Sequence, residues 1–277
     1  MYVSSANSSG DRSARKRQLA KAQKLADKAE ALIAVQRYEE AIQCQREVAA
    51  IRRDDPMAYH QLGLLYREVY SYSPAVDAFR QAAELDPFHC GPRESLVDTL
   101  VDASRYTEAI DEAKALIKVA PANTFARHIL SIVYFQLGDI QNALNMTVEI
   151  SNLDPFDCHN HLRRASLYQH RGEFKNALQS YDRALEHTEN ATPLHDDILE
   201  AIEGLDDEQT HVVLLLASED RMFSIKLQKD LEFALSERGF SLSRGGFLRL
   251  RSVISEQNFA DTFVSHPVQP SGSWYYN

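Results

Sequence analysis

Glycine, proline and cysteine are scarce in this sequence, and each scarcity excludes a class of protein. Ten glycines and nine prolines among 277 residues favour helices over a loop-rich all-β fold. Three cysteines, an odd number, argue against a disulfide framework and indicate a reducing, cytoplasmic location. There is no run of about 18 apolar residues, and the N-terminus lacks the apolar segment of a secretory signal. We therefore expect neither a membrane span nor secretion.

Positive charge is also scarce, since the formal net charge is −10. A surface that binds a nucleic-acid backbone needs a basic patch, so we expect no nucleic-acid partner. Residues 11–24 are a basic exception. They can be interpreted as an arm for a membrane or nucleic acid, or as a solvated extension of the first helix. We favour the second interpretation because the segment lacks an apolar face, and we expect residues 1–21 to be a disordered to basic extension.

The stretch Pro56–Pro87 predicts two amphipathic helices joined by a tight turn. Apolar and small residues recur at i, i+3, i+4 and i+7 in its first half, and at i, i+4 and i+7 in its second half. These residues are Tyr59, Leu62, Gly63 and Tyr66, followed by Ala75, Phe79 and Ala82. One such hairpin cannot bury its apolar face alone, so neighbouring hairpins are expected.

The pattern of this hairpin repeats every 34 residues. Its clearest markers are an alanine early in each second helix, an aromatic or isoleucine three residues before that alanine, and a proline after some of the hairpins. The alanines are Ala41, Ala75, Ala109, Ala143 and Ala177; the preceding residues are Tyr38, Tyr72, Tyr106, Ile140 and Phe174; and the prolines are Pro87, Pro121 and Pro155. Gly138 and Gly172 occupy the turn between the helices of two hairpins. Five registered copies predict a stack of five hairpins over residues 22–190.

The repeat resembles the tetratricopeptide repeat family. Residues 56–87 match the family pattern at every signature position, whereas other units depart from it at Arg53, Arg93 and Arg164. The resemblance implies an all-α fold, a right-handed α-solenoid, closed by capping helices at the C-terminal end. It also implies a non-catalytic scaffold or adaptor that binds a protein or peptide segment in the concave groove of the first helices.

The C-terminal segment 191–255 is predicted to be a helical cap. Thr192 and Pro193 suit a helix start, and we expect that helix to end near Leu205. An open alternative is a small α/β unit with a strand at residues 211–217 and a helix at 219–238. We prefer helices throughout, with Gly239 as a C-cap and Ser241 or Ser243 capping a last helix. Residues 256–277 have no periodicity and are expected to be a flexible tail.

A second, weaker resemblance concerns residues 211–254. Their pattern, Leu231-x3-Leu235-x3-Gly239-Phe240-x-Leu242-Ser243, resembles the leader segments of nitrile-hydratase-like peptide precursors. This resemblance implies an alternative function, a leader-bearing precursor or accessory protein in peptide modification. We prefer the capping interpretation, because the exposed end of a solenoid needs a cap.

The sequence contains no motif for catalysis, and we expect no enzyme activity, cofactor or metal. P-loop, GxSxG, HExxH and GxGxxG patterns are all absent. Cys90 and Cys158 each have a neighbouring histidine, but they lie two repeats apart. That separation is too large for a shared metal or a disulfide. Cys44 is alone on its helix, so all three thiols are expected to be free.

The family resemblance also implies which residues face the groove. They are His60, Leu64, Arg67, Glu94, Asp98, Asp102, Phe125, His128, Ile132, Phe135, Leu162 and His170. Glu94, Asp98 and Asp102 are spaced i, i+4, i+8 and form an acidic stripe, and an apolar patch lies on the next unit. We therefore expect a partner segment with basic and apolar residues, although the stripe can equally be a solvated face. The oligomeric state stays open.

Overall fold

The computed structural model describes residues 7–256, and this part of the chain contains fourteen helices and no strand. The prediction of an all-α repeat fold is thus confirmed. The helices are α1 Asn7–Ala34, α2 Tyr38–Ile51, α3 Pro56–Glu68, α4 Tyr72–Leu85, α5 Cys90–Asp102, α6 Tyr106–Val119, α7 Thr124–Gln136, α8 Ile140–Leu153, α9 Cys158–His170, α10 Phe174–Glu186, α11 Pro193–Glu219, α12 Arg221–Lys229, α13 Leu231–Glu237 and α14 Arg244–Glu256. They fall into two compact units, α1–α8 and α9–α14.

The first helix begins earlier than the repeats do. It starts at Asn7, inside the extension expected at residues 1–21, and the side chains of residues 12–21 are all exposed. Ala22 is the first buried side chain in the described part of the chain. The basic segment is thus an exposed helical extension of the first hairpin. Residues 1–6, and residues 257–277 of the predicted tail, lie outside the described residues.

Each hairpin turns through one residue in the left-handed conformation. The five residues, 34 positions apart, are Gln36, Tyr70, Ser104, Gly138 and Gly172, with φ between 55° and 75°. The residue that follows each of these five donates its backbone N–H to a carbonyl near the end of the first helix. The Ser71 N–H, for example, donates to the Tyr66 carbonyl at 2.8 Å. These bonds satisfy carbonyls that the helix end leaves open. The sequence predicts the two glycines of this set, but the other three units accept the strain of a side chain.

The repeat alanines lie in the buried interior of the hairpins. Ala41, Ala75, Ala109, Ala143 and Ala177 are all fully buried. Each follows the first residue of its second helix by three positions, and those first residues are the tyrosines, isoleucine and phenylalanine that mark the period. A small side chain lets the two helix axes approach to the short end of the usual 8–10 Å range. The alanine repeats in the sequence because each hairpin needs a small residue at this buried position.

A ring-over-glycine contact joins the two helices of the best-formed hairpin. Phe79 on α4 is fully buried and lies against Gly63 on α3. The same cluster includes Leu96, Leu100 and Leu130 from the following helices, so this core runs continuously from α3 to α7. Side chains from successive repeats thus form one shared core.

Polar side chains fix the starts of three first helices. Asp55, Asn123 and Asp157 each accept a hydrogen bond from a backbone N–H in the first turn of α3, α7 and α9. Such caps satisfy donors that the helix cannot pair itself. In α3 the next residue, Pro56, adds a fixed φ angle where no N–H is needed.

The second unit has two cores that share the long helix α11. Its first half packs on the last hairpin through Ile198, Ile202 and Leu205, which lie with Ala165 and Ala177. Its second half packs with α12, α13 and α14 around a different set, Val213, Ala217, Phe223, Leu227, Ala234, Leu235 and Leu250. Helices throughout this segment agree with the preferred prediction, and residues 211–217 are helical rather than a strand.

Two details of this segment differ from expectation. The helix that begins at Pro193 continues beyond Leu205 to Glu219. Leu205 belongs to the first core, and Gln209, one turn later, is fully buried. The helix expected at residues 219–238 is instead interrupted by Asp220 and Asp230, which cap α12 and α13. The hydrogen bond from the Phe223 N–H is the main cause that lowers the pKa of Asp220.

Gly239 and Ser243 behave as predicted. Gly239 has φ +78°, and the Phe240 N–H returns to the Leu235 carbonyl at 3.0 Å, which ends α13. Ser243 Oγ accepts a hydrogen bond from the Gly246 N–H at 3.1 Å at the start of α14.

The contact between Gly63 and Phe79 can be tested by Gly63→Ala. The added Cβ would lie 2.6 Å from Phe79 Cε1, and the ring has no room to move because it is fully buried. We expect the variant to lose about 1–3 kcal/mol of unfolding free energy, as overpacked cores do. Urea unfolding followed by circular dichroism measures the loss.

The matched control is Gly204→Ala on α11, where nothing lies within 4 Å of the added Cβ. Because alanine is the better helix former, this change should stabilise by about 0.5–1 kcal/mol. Equal midpoints for the two variants would contradict the steric explanation.

Candidate functional site

Three first helices of the first unit lie side by side. α3 packs beside α5, and α5 packs beside α7. Ten of the twelve predicted groove residues lie on these helices, and we call them the first-helix surface: His60, Leu64, Arg67, Glu94, Asp98, Asp102, Phe125, His128, Ile132 and Phe135. The other two, Leu162 and His170, lie on α9 in the second unit, where Leu162 packs on that unit's core and His170 is exposed.

An ion cluster joins α3 to α5 on this surface. Arg67 Nη2 lies 2.6 Å from Asp98 Oδ2 and 3.2 Å from Asp102 Oδ2. About a third of each of the three side chains remains exposed to solvent (31% for Arg67). The predicted acidic stripe is therefore partly neutralised by a cation from the preceding repeat. One guanidinium between two carboxylates leaves the cluster net negative.

The third carboxylate of the stripe is held from the other side. Asn123 Nδ2 donates to Glu94 Oε1 at 2.6 Å, while Asn123 Oδ1 accepts from the Ala126 N–H and caps α7. The amide orients Glu94 without cancelling its charge. Sequence reasoning missed Asn123, although an asparagine just before a predicted helix is a recognisable N-cap signal.

His60 occupies the junction of α3, α4 and α5. Its Nε2 lies 3.0 Å from Ser95 Oγ, and its ring centroid lies 5.4 Å from that of Phe79. Its Nδ1 is buried and has no hydrogen-bond partner among the described residues. Burial, and then the nearby charge of His89, lower the pKa of His60. The neutral ring is thus the form that fits.

The apolar part of the surface lies on α7. Phe125 packs against the main core of the first unit while staying partly exposed, and Leu64 does the same from α3. His128, Ile132 and Phe135 are also partly buried. The surface therefore combines an acidic cluster with partly exposed apolar side chains.

The structure shows no alternative site built for metal chemistry in residues 7–256. No group of three or more His, Cys, Asp and Glu side chains in that range lies close enough to hold an ion. Cys44 is buried, Cys90 and Cys158 are partly exposed, and all three are free thiols. No helix among the described residues is both long and apolar enough to cross a bilayer.

Two segments of the chain match family models described as tetratricopeptide repeat. They are residues 58–89, which cover most of α3 and all of α4, and residues 163–193, which cover most of the fifth hairpin. These two segments are tetratricopeptide repeats. The first match coincides with the hairpin from which the sequence period was read, and the repeats support a protein–protein interaction scaffold.

The chain is also similar to a curated protein. It is 26% identical over 153 residues to BBSome complex member BBS4 of Bos taurus. The match covers 55% of this chain and 29% of that relative, so this chain corresponds to less than a third of the relative's length.

Solved structures with the same fold include two tetratricopeptide proteins. MamA from Desulfovibrio magneticus RS-1 (residues 41 to the end) has a TM-score of 0.53 at 21% identity, over 60% of this chain and 94% of that chain. YrrB, described as a TPR protein with an unusual peptide-binding site, has a TM-score of 0.51 at 20% identity, over 65% and 90%. At these identities the likeness concerns the fold.

The environment of His60 predicts a pH dependence of stability. Because its pKa is lowered in the folded state, the unfolded chain binds the proton more readily at this site. The stability of the first unit should therefore fall as the pH drops below 6.5, the ordinary value for histidine. In His60→Gln this part of the loss should disappear, so the free energy of unfolding should depend less on pH between about pH 7.5 and pH 5.

Thermal and urea unfolding at several pH values measure this difference. The control is His211→Gln, because His211 is exposed on α11. Comparing His60→Gln with this variant separates the effect of position 60 from that of a His-to-Gln change as such. Parallel curves for His60→Gln and the unmodified protein would show that His60 does not titrate as argued.

Proposed function

We propose that this chain is a non-catalytic scaffold that binds a peptide or protein segment on the first-helix surface of α3, α5 and α7. The observation that carries the proposal is the ion cluster of Arg67, Asp98 and Asp102 beside the partly exposed apolar side chains of α7. Both features leave side-chain surface exposed to solvent, where a partner can reach it.

The electrostatics of the surface favour a partner segment with a basic residue. The stripe carries three carboxylates, of which two pair with the single Arg67. Each is ordered before binding, Glu94 by Asn123 and the two aspartates by Arg67. A Lys or Arg of the partner would add a second cation to this cluster. Carboxylates that are already oriented lose little conformational entropy when a partner arrives, which favours binding.

The apolar side chains provide the anchor. Phe125, Ile132 and Phe135 lie on α7 and are partly exposed, so an apolar side chain of the partner would remove their remaining surface from water. Charge at one end and apolar contact at the other fix the direction of a bound segment. The expected partner is thus a protein or peptide with basic and apolar residues spaced along one face.

To test this, short peptides that bind the intact chain are selected from a displayed library of random sequences. Affinities of the selected peptides are then measured by fluorescence anisotropy for the unmodified chain and for Asp98→Lys with Asp102→Lys. We expect the double variant to bind at least about fivefold more weakly, and more weakly still at low salt. A peptide in which the basic residue is replaced by Glu should recover affinity for the double variant.

The control variant carries Glu84→Lys and Asp111→Lys, which are exposed on the second helices α4 and α6. It has the same change of net charge and should bind as the unmodified chain does. An equal loss of affinity in both double variants would show that the effect comes from the change in net charge and not from the position of the aspartates. Unchanged affinity in Asp98→Lys with Asp102→Lys, at both salt concentrations, would remove the first-helix surface from the binding site.

A further inference from the structure

A cleft of about 640 Å³ lies in the second unit. Its floor is the segment from Gly239 to Ser243, which connects α13 to α14. Its walls come from α10, α13 and α14, with apolar and charged side chains that include Lys175, Glu232, Leu235, Arg244 and Phe247.

One side of the connecting segment is tied to α11 by buried polar side chains. Gln209, which is fully buried, donates from Nε2 to the Ser241 carbonyl and accepts from the Ser241 N–H, each at 2.8 Å. Because a single amide reaches both groups, the N–H and C=O of Ser241 point in the same direction, as they do in a strand. Gln209 therefore takes the place of a neighbouring strand on this side.

Asp206 holds the next alternate residue in the same way. Its carboxylate, 1% exposed, accepts from the Ser243 N–H at 2.8 Å and from the Ser243 hydroxyl at 2.5 Å. A Cβ at Gly246 would lie 2.3 Å from Asp206 Cγ, so a glycine is required where α14 passes this carboxylate. The segment is thus fixed before any ligand binds.

Leu242 lies between these two residues and presents its backbone to the other side. In an extended chain, alternate residues direct their N–H and C=O groups to opposite sides. Neither backbone group of Leu242 has a hydrogen-bond partner among residues 7–256. The segment therefore leaves a short extended edge with one open donor and one open acceptor, and Leu242 itself lines the cleft.

The side chains around this edge define what it accepts. Leu235, Phe240 and Phe247 supply apolar contact. The Phe240 ring is stacked on the ring of Phe174, with the two ring centroids 6.3 Å apart. Lys175 and Arg244 have no ion-pair partner among the described residues, and the cleft has one carboxylate, Glu232. The lining is therefore net positive and complementary to an acidic group.

We propose that this cleft binds an extended peptide segment of a partner protein. The segment pairs through its backbone with the N–H and C=O of Leu242, as an added strand does. Its apolar side chains enter the cleft between Leu235 and Phe247, and its acidic side chain lies near Lys175 and Arg244. This site shares no residue with the first-helix surface and prefers the opposite charge in its partner.

The experiment compares two changes at Leu242 in the intact chain, using displayed random short peptides as the probe. Leu242→Pro removes the open N–H, and proline is tolerated because the preceding residue is extended and no internal hydrogen bond is lost. Leu242→Ala removes the side chain and keeps the N–H. Peptides of the predicted class should bind Leu242→Pro about tenfold more weakly than Leu242→Ala. Circular dichroism and thermal unfolding establish that both variants are folded.

A charge exchange tests the second feature. Lys175→Glu with Arg244→Glu should lower the affinity for peptides that contain an acidic residue. It should raise the affinity for versions of those peptides in which that residue is Lys. The matched control is Lys229→Glu with Arg251→Glu, two exposed cations that do not line the cleft. Binding should be unchanged in this control and in Asp98→Lys with Asp102→Lys. Loss in the aspartate variant would instead assign the peptides to the first-helix surface.

Amide hydrogen exchange of the free chain distinguishes other occupants. The Leu242 N–H should exchange faster than the N–H groups of Ser241 and Ser243, and slow down when a selected peptide is added. If the Leu242 N–H is already protected, a segment of this chain or, where protection depends on concentration, a second copy covers the edge, and the proposal of a partner protein is overturned. It is overturned equally if no peptide is selected, or if none distinguishes Leu242→Pro from Leu242→Ala.

Discussion

The close approach of two helix backbones within each hairpin is the constraint on which the rest of this structure depends. The approach requires a small residue at one repeat position, and five alanines fill it with no exposed surface. It also requires a sharp reversal between the helices, which a residue at positive φ provides in every hairpin. Only two of those five residues are glycine. The energy of packing across the alanine contact evidently exceeds the cost of about 1 kcal/mol for a side chain in the left-handed region.

The same regular spacing determines what the surface can do. Because equivalent residues recur on neighbouring first helices, a charged residue of one repeat lies beside that of the next, as Arg67 does with Asp98 and Asp102. A stripe that is acidic along one helix is therefore partly neutralised by the arginine of the neighbouring helix. The cluster is ordered and remains negative, a combination that suits recognition of a segment with a basic residue.

The C-terminal segment follows a different logic, since it lacks the period. Its helices gather around α11, and two buried polar side chains of that helix, Asp206 and Gln209, hold the connection between α13 and α14. Buried polar groups are costly unless they are paired, and here backbone groups of Ser241 and Ser243 pair them. The consequence is an extended segment whose backbone groups are hydrogen-bonded on one side and open on the other.

The sequence by itself determined the period, the helix pairs, the positions of the alanines and the caps at Thr192, Gly239 and Ser243, because these are local choices of backbone and side chain. It also placed the predicted groove residues on their helices. The tertiary structure alone decided that Arg67 meets Asp98 and Asp102, that Asn123 holds Glu94, and that Gln209 and Asp206 reach residues more than thirty positions away. Those contacts depend on the rotation of one helix against another. No pattern within a single helix specifies that rotation, so the chemistry of both surfaces becomes visible only after the helices have packed.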